Sequence, residues 1–149
     1  MVDTTGSYTV SAWVTLDSLP GNYASAVSQD GRRQASPFYL QYGQGAFAFS
    51  TPDGQRARLA TTPETGRWYH LAGVRDDATN QIKLYVDGEL ASTATAGPAY
   101  VATGPLAVGR AKYNGENTDF WSGAVDEVRA YDKALTAEEV SALYNGEKR

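Results

Sequence analysis

The chain of 149 residues contains no cysteine, one histidine and one methionine. Without thiols there is no disulfide, no thiol nucleophile and no thiolate metal site. No apolar run approaches the roughly 20 residues that a membrane-spanning helix requires. The start, Met1-Val2-Asp3, lacks the basic residues and apolar stretch of a signal peptide, so an export signal would have to lie upstream. Basic runs are also missing. None is longer than the pair Arg32-Arg33, and the formal net charge is −4. Nucleic-acid binding needs a basic face that displaces counterions, so nucleic acid is excluded as a partner, and an anionic membrane surface is disfavoured for the same reason.

What the sequence does have is tyrosine, 10 copies, and glycine, 15 copies, a bias toward strands and tight turns. In Tyr8–Leu16 the even positions are Tyr8, Val10, Ala12, Val14 and Leu16. The odd positions Thr9, Ser11 and Thr15 are polar, with Trp13 the exception. This period of two predicts a strand with one face buried and one partly open. Further strands are expected at Ala24–Ser28, Phe38–Tyr42, Ala46–Ser50, Ala57–Ala60, Trp68–Arg75, Ile82–Val86, Ala91–Thr95, Leu106–Gly109 and Ala124–Tyr131. Asp30-Gly31, Asp53-Gly54 and Asp87-Gly88 lie between apolar stretches and read as hairpin turns. Many short strands with no long helix between them mean a sandwich or barrel, and the length suits one domain over residues 1–149.

One helix is expected near the C-terminus. Thr136 caps it, Glu139 completes a capping box, and Leu135 with Val140 forms a hydrophobic staple. Val140, Leu143 and Tyr144 form its apolar stripe, and Asn145-Gly146 reads as its end. Such a helix is expected to pack across an end or edge of the sandwich.

Three blocks resemble the laminin G-like, concanavalin A-like family. They are Tyr8-Thr-Val-Ser-Ala-Trp13, then Trp68-Tyr-His-Leu-Ala-Gly-Val-Arg-Asp76 with Leu84-Tyr-Val-Asp-Gly88, and finally Gly123–Tyr131 leading into Ala134–Tyr144. They span nearly the whole chain in the family's order, with wording similar to domains of actinobacterial and phage surface proteins. The resemblance implies an all-β jelly-roll sandwich of two antiparallel sheets, glycan or surface-protein partners, calcium at a rim, and an extracellular or surface-associated location. Where the related pentraxins hold calcium, this chain reads Arg110-Ala-Lys-Tyr-Asn-Gly115, so a site of that type is not expected.

Catalysis is not expected. Glycosidases of this fold carry carboxylates spaced along one strand, whereas Asp126 and Glu127 are adjacent and would face opposite sides of a regular strand. His70 lies in an apolar strand and reads as a packed residue rather than a base. Trp13 and Trp68 likewise read as packing residues. Contact with a ligand is expected from loops on the rim, through Asn22, Tyr23, Arg32, Tyr113, Asn114, Asp119 and Trp121. Trp13, Tyr39 and Tyr85 occupy the polar phase of their strands and are expected on outer sheet faces. For calcium the candidate oxygen donors are Asp126, Glu116, Asn117 and Asp119. The leading expectation is a non-catalytic module that binds a carbohydrate or surface glycoconjugate, with a structural or adhesion role through protein contacts as the alternative.

Relatives usually carry a further strand ahead of the block that starts at Tyr8, and residues 1–7 make a poor one. A long strand near the C-terminus is therefore expected to have an open edge, and pairing with a second chain is its favoured fate.

Overall fold

The computed structural model describes residues 2–31, 36–52, 55–113 and 116–147. The expected strand at Tyr8–Leu16 forms with those bounds as β1. The other strands are β2 (Ala24–Gly31), β3 (Tyr39–Gly43), β4 (Ala46–Ser50), β5 (Arg56–Arg58), β6 (Tyr69–Asp76), β7 (Gln81–Val86), β8 (Glu89–Thr95), β9 (Ala102–Val108), β10 (Ala111–Tyr113), β11 (Glu116–Thr118) and β12 (Gly123–Tyr131). Two five-stranded antiparallel sheets result, in the orders β12-β1-β6-β7-β8 and β5-β4-β3-β2-β9, with β10 and β11 as a separate pair. This is a jelly-roll sandwich of the concanavalin A-like kind, as the resemblance implies.

The core lies between the sheets. Tyr8, Val10, Val14, Leu16, Leu71, Ile82 and Leu84 come from the first sheet, and Val27, Leu40, Tyr42, Phe47 and Phe49 from the second. Val2 joins them, 3% exposed. Its N–H donates to Gln29 Oε1 at 3.0 Å and its carbonyl accepts from Gln29 Nε2 at 3.2 Å, so one buried amide side chain stands in for a neighbouring strand. The described residues before β1 form no strand, yet they contribute this core residue.

The sequence reading needs correction in four places. First, β1 is buried on both faces, because the helix α1 (Ala137–Glu147) lies over the outer face of the first sheet rather than at an end or edge. Val140 and Leu135 pack there on Ala72, Val74 and Tyr85, and Tyr144 stacks on Trp13 at 5.6 Å between ring centroids. Trp13 and Tyr85 do take the outer face as expected, but under this cover they are 4% and 3% exposed. Second, α1 continues through Asn145 and Gly146 to Glu147. Third, Asp30 and Gly31 are the last residues of β2, where Gly31 pairs with Ala102, and make no hairpin turn. Asp53-Gly54 lies outside the described residues. Fourth, the stretch from Arg110 to Trp121, which holds four of the contact residues expected in rim loops, contains the β10–β11 pair, held against β2 by the Arg110 carbonyl, which accepts from Ser28 Oγ at 2.7 Å. The Asp87-Gly88 turn does form, with φ of 51° and 81°, both in the left-handed range that such turns need.

The cap forms as read. The Glu139 N–H donates to Thr136 Oγ1 at 3.2 Å and the Thr136 N–H donates to Glu139 Oε1 at 3.1 Å. Thr136→Ala removes the first of these and is expected to cost about 1 kcal/mol, a fall of roughly 2–4 °C in melting temperature for a domain of this size. An unchanged thermal midpoint would show that the box contributes nothing.

β12 is the outermost strand of its sheet and β9 of the other, so open edges exist as the sequence reading expected. Both are blunted. The β12–β1 register slips between Ser11 and Trp13, and Glu127, at φ 52°, is the extra residue of a bulge. Pro105 sits inside β9, where it has no N–H to offer. Bulges, prolines and edge charges work against strand pairing between chains. This shifts the expectation away from self-association: light scattering across a concentration series should return a monomer mass. A mass rising toward twice 16.0 kDa would restore pairing through β12.

Candidate functional site

The site expectation that gathers most support in space is Tyr23. Register across the second sheet assigns its outer face: Ser25, Gln41, Ala48 and Arg58 lie in one row of paired residues, and Ser28, Tyr39, Ser50 and Arg56 in the next. The intervening rows, such as Val27, Leu40, Phe49 and Ala57, face the core. Tyr39 thus takes the outer face as expected. The alternation Arg56-Ala57-Arg58 places two arginines outward around one inward alanine.

Arg56 does not extend into solvent. Its side chain runs across the face toward Gly43, where a Cβ would stand 3.1 Å from Arg56 Nη2 and within the van der Waals radius of the Tyr23 ring. Glycine at 43 therefore leaves space for both groups. The guanidinium carbon sits 5.1 Å from the Tyr23 ring centroid, a cation–π arrangement, and Nη1 donates to Gln44 Oε1 at 3.0 Å. Gln44 Nε2 donates to the Tyr23 hydroxyl at 3.0 Å, and Arg58 Nη2 donates to the Gln44 carbonyl at 3.2 Å. Gln44, at φ 52°, belongs to the Gln44-Gly45 turn between β3 and β4, which aims its side chain at this cluster. Tyr23 remains 38% exposed and Arg58 is exposed, while the floor beneath them, Ser25, Gln41, Ala48 and Ser50, is buried. Burial holds the Arg56 pKa below the usual arginine range, Tyr23 opposes that, and neighbouring Arg58 adds to it.

Sequence reasoning missed Gln44, Arg56 and Arg58. Alternation in Arg56-Ala57-Arg58 could have signalled two cations on one face, but nothing local shows that Tyr23 lies above them.

The remaining expected contact residues are dispersed. Asn22 is exposed beside Tyr23. Arg32 and Asn114 lie outside the described residues, as does the side chain of Tyr113. Asp119, at φ 54°, follows β11, and its carbonyl accepts from the Ser25 N–H at 2.8 Å, which ties this segment to the start of β2. Burial raises the pKa of its carboxyl, against a weak contact with the Thr118 hydroxyl. Trp121 is turned inward: it packs on the core, and its Nε1 donates to the Thr15 carbonyl at 2.9 Å. Asp30 holds Arg110 with two bonds of 2.8 and 3.0 Å, so neither group is available to a ligand.

The metal candidates fall on two structures. Glu116 and Asn117 are exposed on β11, with Asp119 just beyond. Asp126 is on β12 in the other sheet, opposite Trp13, and its Oδ1 accepts the Glu127 N–H at 2.8 Å. Among the described residues no group of three or more His, Asp or Glu side chains is placed to hold a metal ion. Calcium at these positions is tested by a titration against chelator, read as a rise in melting temperature.

His70 is fully buried under α1 and neither ring nitrogen has a hydrogen-bond partner, so it serves no nucleophile. Trp68 is half-buried just before β6. A cleft of about 470 Å³ lies between residues 59–69 and the β7–β8 turn. Of its charged groups, Glu64, Arg67 and Asp87 are engaged in holding those segments together, and Glu89 is exposed. Arg67 lies 3.6 Å from Glu64 and 3.3 Å from Asp87 and covers the Tyr69 ring at 4.6 Å, while Asp87 Oδ1 accepts the His70 N–H at 2.9 Å. No helix among the described residues is long and apolar enough to cross a membrane.

Comparison with known proteins follows the fold. A laminin G family model described as "Concanavalin A-like lectin/glucanases superfamily" matches residues 1–141. No curated protein matches the chain. Among solved structures, a candidate carbohydrate binding protein from Bacteroides ovatus shares 21% identity at a TM-score of 0.74, over 92% of this chain and 40% of that one. Domain 4 of an extracellular GH43 arabinanase from Geobacillus stearothermophilus, in complex with arabinotriose, shares 24% at 0.72, over 97% and 68%. Trypanosoma rangeli sialidase in complex with sialic acid shares 20% at 0.68, over 94% and 23%. At these identities the likeness is one of fold, and the chain spans about two fifths of the first structure and a quarter of the last.

Proposed function

Because the chain belongs to the laminin G family of the concanavalin A-like lectin/glucanases superfamily, we propose that it is a non-catalytic recognition module whose ligand is a carbohydrate or surface glycoconjugate. The observation that carries this reading is the Tyr23 cluster: a partly exposed aromatic ring flanked by Gln44, Arg56 and Arg58. Sugar rings present apolar C–H faces and polar hydroxyl edges, and an aromatic ring beside fixed amide and guanidinium groups serves both. The described carbohydrate-binding neighbour and the arabinotriose complex support the reading as relatives in fold. Fold alone would not establish it. A glycan array is the test: specific hits that Tyr23→Ala abolishes support it, and silence across neutral and acidic glycans sinks it. Incubation with labelled polysaccharides is expected to release no product.

A second reading has its own observation. Val101 and Val108 are each 52% exposed on or beside β9, and Phe120 is 66% exposed. Exposed apolar side chains of this size suit protein contacts in an adhesion or surface-decoration role. Crosslinking on the producing cell or particle, lost in Phe120→Ser, would favour it over the glycan reading.

A further inference from the structure

The Tyr23 cluster has an unusual charge balance. Arg56 and Arg58 project from the same face of β5, in a chain of net charge −4, and no described carboxylate lies within salt-bridge distance of either. Elsewhere Arg67, Arg110 and Arg129 each hold a carboxylate, whereas buried Arg75 holds none and donates to the Gly97 carbonyl. The donors of Arg56 are unequally used. Nη1 is bonded to Gln44, whereas Nε and Nη2, both buried, have no hydrogen-bond partner. Nε and Nη2, the side-on fork of the guanidinium, are closed off by the protein, so Arg56 offers this face its charge rather than these donors. On the floor below, the hydroxyl of fully buried Ser25 is also unpartnered.

Leaving buried donors unmet is costly, and a buried cation without a counter-charge costs more. A ligand that brings a negative charge to this face offsets the second of these costs.

From this we infer that the site takes an acidic saccharide, one bearing a carboxylate or sulfate. The anionic group meets the exposed guanidinium of Arg58, with the unpaired charge of Arg56 behind it, and the sugar ring lies against Tyr23. The inference rests on the glycan reading of the same cluster and narrows it to one ligand class.

The test is titration calorimetry of the whole chain with four probes: an oligogalacturonate, its carboxyl-reduced counterpart, a sulfated galactan oligomer and inorganic sulfate. One or both acidic oligomers are expected to bind, whichever wins identifying carboxylate or sulfate as the preferred group. The carboxyl-reduced oligomer should bind at least about tenfold more weakly, as expected for losing a charge-assisted bidentate contact. Arg58→Ala, at an exposed position, should weaken the acidic oligomer by a similar factor with an unchanged melting temperature. Arg56→Gln, which removes the unpaired charge, should weaken it while far-ultraviolet circular dichroism stays native. Equal binding of the acidic and carboxyl-reduced oligomers would overturn the inference and leave the glycan reading standing. Inorganic sulfate binding as tightly as the oligomers would overturn it too, by showing a bare anion site. Failure of every saccharide, neutral or acidic, would remove the glycan reading and this inference with it.

Discussion

Replacing Gly73 by alanine is expected to destabilise the domain by about 2–3 kcal/mol, the cost of overfilling a packed core. At this size that is a fall of roughly 5–10 °C in melting temperature. Gly73 lies in β6 between Val10 and Leu84 and faces the second sheet. An added Cβ would stand 2.6 Å from Cε1 of Phe49 and closer still to Cδ1. The ring cannot easily withdraw, since it packs against Phe38 at 6.0 Å and Tyr8 at 6.4 Å between centroids. Phe49 therefore fills the gap that the missing side chain leaves in the facing sheet. Gly6→Ala is the control, with no atom within 4 Å of its new methyl. Denaturant midpoints that fall equally for the two variants, or not at all for Gly73→Ala, would contradict this packing.

The second large effect is a loss of stability in mild acid. His70 is buried against Trp13 at 5.3 Å and Tyr144 at 5.9 Å, and both its ring nitrogens lack partners. Burial lowers its pKa; Glu147 and Asp87 oppose that shift without cancelling it. The native state therefore favours the neutral ring. Above the unfolded value of about 6.5 both states are neutral, and the stability is fully present. As pH falls below that value the unfolded chain takes up the proton first. Stability is then lost at up to about 1.4 kcal/mol per pH unit until the folded pKa is reached. Carboxylates held low, such as Glu139, which is bonded to Lys133 and the Thr136 N–H, act only in stronger acid. Chemical denaturation between pH 8 and 5 should therefore show a slope in the wild type that His70→Phe removes. Parallel profiles for the two proteins would show that another group is responsible.

Much of this architecture was legible in the residues, for identifiable reasons. β1 and β4 were readable to the residue because their side chains alternate over their whole length and turns bound them sharply. The cap at Thr136 was readable because its two hydrogen bonds span only three residues. Errors arose where a distant partner decides the outcome. Asp30-Gly31 has the composition of a turn, yet Gly31 remains in β2 because Ala102 pairs with it. Polar Thr9 and Ser11 suggest an open face, yet α1 covers them, and Thr9 Oγ1 bonds the Lys133 carbonyl and the Leu135 N–H ahead of that helix. The β10–β11 pair was overlooked although Asn114-Gly115, a strong two-residue hairpin signal, stands between the two strands. Of the candidate site, Tyr23 was readable as a loop aromatic. Its companions were not, because Gln44, Arg56 and Arg58 reach it only through the strand order β5-β4-β3-β2.

The placement of α1 gives the molecule a front and a back. With the core between the sheets and the helix spread over β1, β6 and β7, the outer side chains of those strands are covered, whereas Tyr23 and Arg58 at the second sheet stay exposed. On the glycan reading proposed above, one copy offers one grip and faces its target in a fixed orientation. Against a surface crowded with weak repeating epitopes, strength would come from tethering several copies side by side, where each bound domain raises the effective concentration of the next.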